Sequence, residues 1–206
     1  MNVNQQKALQ TQAEIRLIKS KDLDGFKNYL KSQKLTREAI KFLFEKGRKK
    51  NVEIYVNTVY PFSSEFRVYQ NQVMKYANRP TLATYYLYYK VKPQGEIELI
   101  KRNELIPFLY YVTNYGLSPK AFKYLIEKGA RELVEGYFNN NTLDGEFLDI
   151  FLQSCKIGYI KMYLEKANTH EKEEMAQALI SKKEHKKALE HIYRYVPMFR
   201  FWLDCA

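Results

Sequence analysis

Apolar positions along this chain recur at the three- and four-residue spacing of amphipathic helices. From Gln5 to Lys19, Ala8, Leu9, Ala13, Ile15, Leu17 and Ile18 hold approximately that spacing. Asp22 is placed to cap a short second helix through Leu23, Phe26, Tyr29 and Leu30. Thr36 then caps a third, with Ala39, Ile40, Leu43 and Phe44 as its buried stripe and Gly47 at the C′ position. The next helix runs from about Lys49 to Val59 and stops before Pro61. Ser63 or Ser64 opens another, with Phe66, Tyr69, Val73 and Tyr76 along one face and Asn78-Arg79-Pro80 closing it.

The stretch Thr81 to Lys92, TLATYYLYYKVK, reads two ways. Pro80 suits the first turn of a helix, and the neighbours are helical. Yet Tyr and Val also suit a strand, which would make a small β-hairpin insertion near 81–100 with Glu96 to Ile100. Helix is the favoured reading. Beyond it, Asn103 is placed to cap a helix over Glu104–Asn114, and Ser118 with Pro119 gives the strongest helix start in the chain. A helix to about Asn139 follows, then Glu146–Cys155, Gly158–Lys166, Glu171–Ile180 and Lys182–Tyr193. Ser181 and Glu184 have capping-box spacing for the last of these. After Pro197 an aromatic tail, MFRFWLDCA, is expected to dock on the final helix.

One segment occurs twice. Residues 35–56, LTREAIKFLFEKGRKKNVEIYV, align without a gap to residues 117–138, LSPKAFKYLIEKGARELVEGYF, and ten of the 22 positions are identical. Short helices joined by tight turns, with one pair echoed, predict an all-α fold. Its antiparallel helix pairs stack as an α–α superhelix or solenoid, read as a single domain over 1–206.

Leu148 to Asn168, LDIFLQSCKIGYIKMYLEKAN, resembles the helix pair of an ankyrin repeat. Leu109–Gly116 with Phe122–Ala130 is similar, and Ile15–Leu30 less so. The TPLH signature of that family is absent, and the echo's offset of 82 residues (117 − 35) is not a multiple of its roughly 33-residue period. HEAT-like and other α–α repeats fit almost as well. The resemblance implies a protein-binding scaffold and brings no catalytic residues or cofactor.

Composition adds charge. Lys and Arg number 34 against 23 Asp and Glu, a formal net charge of +11, which draws polyanions or acidic partners without specifying a fold. Two clusters concentrate it: Lys46, Arg48, Lys49 and Lys50, and then Lys182, Lys183, Lys186 and Lys187. Either is a candidate for neutralising phosphates; the plainer reading is a solvated helix end and a solvated helix face. The stretches Tyr85-Tyr86-Leu87-Tyr88-Tyr89 and Tyr110-Tyr111 are candidates for stacking bases or anchoring a partner; the plainer reading is that they fill gaps between short helices, with at least some expected to face a groove or solvent.

Catalytic chemistry is harder to find. The histidines His170, His185 and His191 lack ligand spacing, and Cys155 and Cys205 form no Cys-x-x-Cys pair. Cys155 falls on an expected apolar helix face, where a buried, inert thiol is the commoner case. No glycine-rich phosphate loop or nucleophile elbow is present. Two thiols, no secretory signal pattern and no long apolar run lead us to expect a cytoplasmic protein without membrane spans. The expected function is a non-catalytic protein- or peptide-binding module without cofactor or metal. The alternative is a sequence-tolerant nucleic-acid binder using the two basic clusters.

Overall fold

The computed structural model describes residues 2–59, 67–154, 156–182, 185–196 and 199–205. The expected features at Pro61, Ser63, Ser64, Phe66, Cys155, Lys183, Glu184 and Pro197 lie outside the described residues. The chain gathers into two compact units, residues 1–98 and 99–206.

Unit 1 holds α1 (Val3–Lys19), α2 (Leu23–Ser32), α3 (Arg37–Lys46), α4 (Lys49–Thr58), α5 (Gln70–Tyr76) and α6 (Arg79–Tyr88). The unit boundary falls within α7 (Pro93–Arg102). Unit 2 continues with α8 (Leu105–Tyr115), α9 (Pro119–Lys128), α10 (Arg131–Asn140), α11 (Gly145–Ser154), α12 (Ile157–Lys166), α13 (Thr169–Ser181), α14 (Lys186–Tyr195) and α15 (Arg200–Cys205). The fold is all-α, and no strand forms among the described residues. The β-hairpin alternative near 81–100 is not realised. Asn78 accepts from the Thr81 amide, Pro80 sits in the first turn of α6, and α7 follows.

Over α1 to α4 of unit 1, and throughout unit 2 from α8 on, the helices pack on the helix two places along the chain. In unit 1, α1 lies on α3 and α2 on α4, with α4 passing on to α5. In unit 2 one row runs α8, α10, α12, α14 and the other α9, α11, α13, α15. Helices α8, α10 and α12 begin at residues 105, 131 and 157, so the pair recurs every 26 residues there. This is the solenoid-like stacking that the short helices require, since ten-residue helices are marginal without neighbours.

The echoed segments fold alike. Thr36 and Ser118 each cap their helix by accepting from the amide three residues on, at Ala39 and Ala121. Ala39, Ile40, Leu43 and Phe44 are buried in one copy, and Ala121, Phe122, Leu125 and Ile126 in the other. Even the surface pair recurs, Lys41–Glu45 at 4.0 Å and Lys123–Glu127 at 3.9 Å. The glycines differ from expectation in mechanism. Gly47 and Gly129 have φ of −70° and −68°, not the left-handed C′ conformation. They are glycine for space: a Cβ would lie 2.3 Å from the Leu43 carbonyl oxygen, or 2.5 Å from that of Leu125.

Three other expectations are corrected. Asn103 does not cap α8; it turns the chain at φ 53°, and Glu104 occupies the cap position without a side-chain bond to the helix's amides. An Arg102–Glu104 ion pair of 2.6 Å spans that turn, and asparagine is among the few residues that tolerate such a φ. Ser181 ends α13 instead of opening α14, whose cap position is His185. The C-terminal helix α15 packs chiefly on α13, two places back, while Asp204 accepts from the Tyr193 hydroxyl on α14 at 3.4 Å.

Polar side chains fasten the turns. Glu14 on α1 is 1% exposed and fully engaged. Its carboxylate accepts from the Thr36 amide (2.9 Å), the Thr36 hydroxyl (2.6 Å), the Tyr29 hydroxyl (2.8 Å) and the Gln10 amide (3.0 Å). One carboxylate thus ties α1 to α2 and to the start of α3. Asn57 plays the same part further on, donating to the Tyr76 carbonyl and accepting from the Asn78 amide and the Thr81 hydroxyl. Gln70 clasps the segment before α7 through the Lys90 carbonyl and the Lys92 amide. The core of unit 2 is an aromatic cluster, with Phe138 touching Phe151 and Tyr163 edge to face at 5.2 and 5.3 Å.

Two predictions follow from this packing. Glu14→Ala leaves the Thr36 amide and hydroxyl without their acceptor and is expected to cost about 2–4 kcal/mol in urea denaturation. Burial, only partly offset by the Leu143 amide donating to its oxygen, pushes the Tyr163 hydroxyl up to about 12. The folded state therefore holds that proton more tightly than the unfolded chain, which releases it near pH 10. The resulting stability is complete below pH 10 and is lost as pH rises towards 12. Tyr163→Phe is expected to flatten that alkaline loss, read as chemical stability against pH.

Candidate functional site

The first basic cluster lies where α3 hands over to α4. Lys46 ends α3, where the helix dipole favours a cation, but Lys49 and Lys50 open α4, where it opposes them. Helix α4 has no acidic residue in its first turn and no side-chain cap. The second copy places Ala130 and Glu132 at the positions of Arg48 and Lys50. Lys49 and Lys50 are therefore not there to stabilise their helix. Arg48 has a structural task, donating from Nη1 to the Ser20 carbonyl at the end of α1 (3.4 Å).

Lys49 alone of these four lines a cleft of about 330 Å³ in unit 1. Its floor is Phe44 and Val52, both buried. Gly47 comes from the end of α3, while Asn71, Gln72, Lys75 and Tyr76 come from α5 and Glu98 from α7. The Lys75 ammonium sits over the Tyr76 ring at 5.3 Å from its centroid, a contact that steadies an exposed cation. Neither Lys49 nor Lys75 pairs with a carboxylate, and the Asn71 and Gln72 side chains make no hydrogen bond, among the described residues. Lys75, Asn71 and Gln72 carry no sequence signal of their own. They reach Lys49 only because α5 packs on α4.

The second cluster, in unit 2, is partly engaged by the protein itself. Lys182 is ion-paired with Asp149 of α11, and Lys186 faces Glu190 one turn on at 4.0 Å. Lys187 is exposed and has no partner among the described residues. His185 is buried between these groups. Its Nδ1 lies 3.0 Å from the Ala178 carbonyl, and its Nε2 lies 3.7 Å from Asp149 without a hydrogen bond. His170 is exposed beside Glu174 at 3.5 Å. No three of His, Cys, Asp and Glu gather as a metal site among the described residues.

The tyrosine stretches divide. Tyr85 and Tyr86 are both buried, and the Tyr86 hydroxyl points to the Met74 sulfur at 3.6 Å. Tyr111 is buried while Tyr110 is 40% exposed. On the same helix Leu105 is 40% and Ile106 is 69% exposed. Among the described residues no helix is long and apolar enough to cross a membrane. No protein-family model, curated protein or solved structure matches this chain.

The Lys182–Asp149 pair is half-exposed, so its loss should be mild. Lys182→Ala is expected to lower stability by about 0.2–1 kcal/mol, whereas Lys187→Ala should stay within about 0.5 kcal/mol of the parent, both by urea denaturation.

Proposed function

We propose that this chain is a non-catalytic interaction module that binds another protein or peptide. The observation that carries the reading is the outer face of α8. Ile106 and Tyr110, one helical turn apart, stand exposed with Leu105 beside them, on a helix whose other side is buried through Phe108, Tyr111 and Val112. Large apolar side chains grouped on a turn of surface helix mark contact sites more often than single exposed ones do. Stacked short helices supply the rigid backing that such a face needs.

The ankyrin-like resemblance supports the same function through its paired short helices, while the 26-residue recurrence in unit 2 lies nearer a plain α–α stack than a period of about 33. A cytoplasmic setting accords with Cys205, which is exposed and unbridged. The nucleic-acid alternative rests on Lys49 and Lys50, placed against the dipole of their own helix.

Fluorescence anisotropy against duplex DNA and single-stranded RNA, at about 50 and 200 mM salt, separates the two. The interaction reading expects no binding to either at low salt. It also expects crosslinked partners from a lysate to be lost in Ile106→Asp/Tyr110→Asp, with helicity retained by circular dichroism. Tight, salt-sensitive nucleic-acid binding that survives this double substitution would overturn it.

A further inference from the structure

We propose that the unit 1 cleft is an anchoring site for an acidic peptide segment, taking a glutamate or aspartate side chain between Lys49 and Lys75. The proposal rests on the interaction reading above and gives it a partner chemistry. Four polar side chains converge on one cleft, and none is engaged there by a carboxylate or a hydrogen bond among the described residues: Lys49, Lys75, Asn71 and Gln72. Two ammonium groups supply charge, and two carboxamides supply donors as well as acceptors. That set matches a carboxylate and the peptide group next to it.

The rest of the lining selects among anions. Phe44 and Val52 form an apolar floor, which suits the methylenes of a glutamate and offers nothing to a sugar-phosphate chain. Tyr76 adds an aromatic wall beside Lys75. Glu98 stands in the same lining. A volume of about 330 Å³ accommodates one or two side chains at the lower end of ligand sites. The protein's surplus of 11 positive charges favours encounter with an acidic partner.

The placement of Lys49 also acquires a reason. A lysine in the first turn of α4 opposes the helix dipole, and a bound carboxylate offsets that opposition. Lys50, one position on, does not line the cleft.

The test uses the full chain and three probes measured by isothermal titration at about 50 mM salt. These are an acetylated and amidated hexaglutamate, the matching hexaglutamine, and a thymidine hexanucleotide. The proposal expects hexaglutamate to bind, hexaglutamine not to bind, and the hexanucleotide to bind more weakly than hexaglutamate. Lys49→Glu and Lys75→Glu, both at exposed positions, should each weaken hexaglutamate on the order of tenfold. Lys187→Glu changes net charge equally outside the cleft and should change affinity less than about twofold.

No hexaglutamate binding, or an equal loss in Lys187→Glu, overturns the cleft as a site. Tighter hexanucleotide binding lost in Lys49→Glu reassigns it to phosphate. Because Ile106 and Tyr110 belong to unit 2, loss of partners through them and loss of hexaglutamate through Lys49 fail independently.

Discussion

A ten-residue helix does not hold itself together in water. Nucleation fixes several residues for one hydrogen bond, and ten residues add too few bonds to recover that cost. Ten of the fifteen helices among the described residues have that length, so they depend on apolar burial against others, and the i to i+2 packing is the main form this dependence takes. Four buried positions recur on the repeated helix, Ala39, Ile40, Leu43 and Phe44, and again Ala121, Phe122, Leu125 and Ile126. The small alanine lets a neighbouring helix approach, and the three larger chains fill the space beside it. Gly47 and Gly129 then let the chain turn directly over the last turn of its own helix, beside the Leu43 and Leu125 carbonyls. Tight turns keep consecutive helices in opposite rows.

Because the helices are short, their ends are numerous, and every end leaves backbone groups to be satisfied. That accounts for buried Glu14 and Gln70 and for half-buried Asn57. Glu14, Asn57 and Gln70 each bond to backbone groups of a turn more than a dozen residues away. Such side chains join one helix to the start or end of another, so helix stacking and helix capping are not separate contributions in unit 1.

Much of this was legible in the sequence, because local chemistry decides it. Asp22, Thr36 and Ser118 cap the helices that their positions predict, and the stripe Ala39, Ile40, Leu43 and Phe44 falls on a buried face, whereas Ala8, Leu9 and Ala13 of the stripe read in α1 are exposed. The echoed segments fold alike down to their surface ion pairs. What local patterns did not reveal depends on tertiary placement. Asn103 has the chemistry of a cap, yet an ion pair across it uses its tolerance of positive φ for a turn. Ser181 has capping spacing and is used to finish a helix. Tyr85 and Tyr86 are adjacent, and both are buried. The cleft was invisible for the same reason. Lys49 stood out as one member of a charge run, but Asn71, Gln72 and Lys75 join it only through the packing of α5 on α4. Conversely, Arg48 and Lys182, equal members of those runs by sequence, are occupied by Ser20 and Asp149.

The central claim is that each helix of unit 2 from α8 on is held by the one two places along, and hydrogen exchange tests it most directly. Leu125→Ala removes a fully buried side chain from α9, at a cost of about 3 kcal/mol. The account predicts faster amide exchange in α11, its partner in the row, and in α10, together with α9 itself. Faster exchange confined to α9, with α10 and α11 as protected as before, would contradict it.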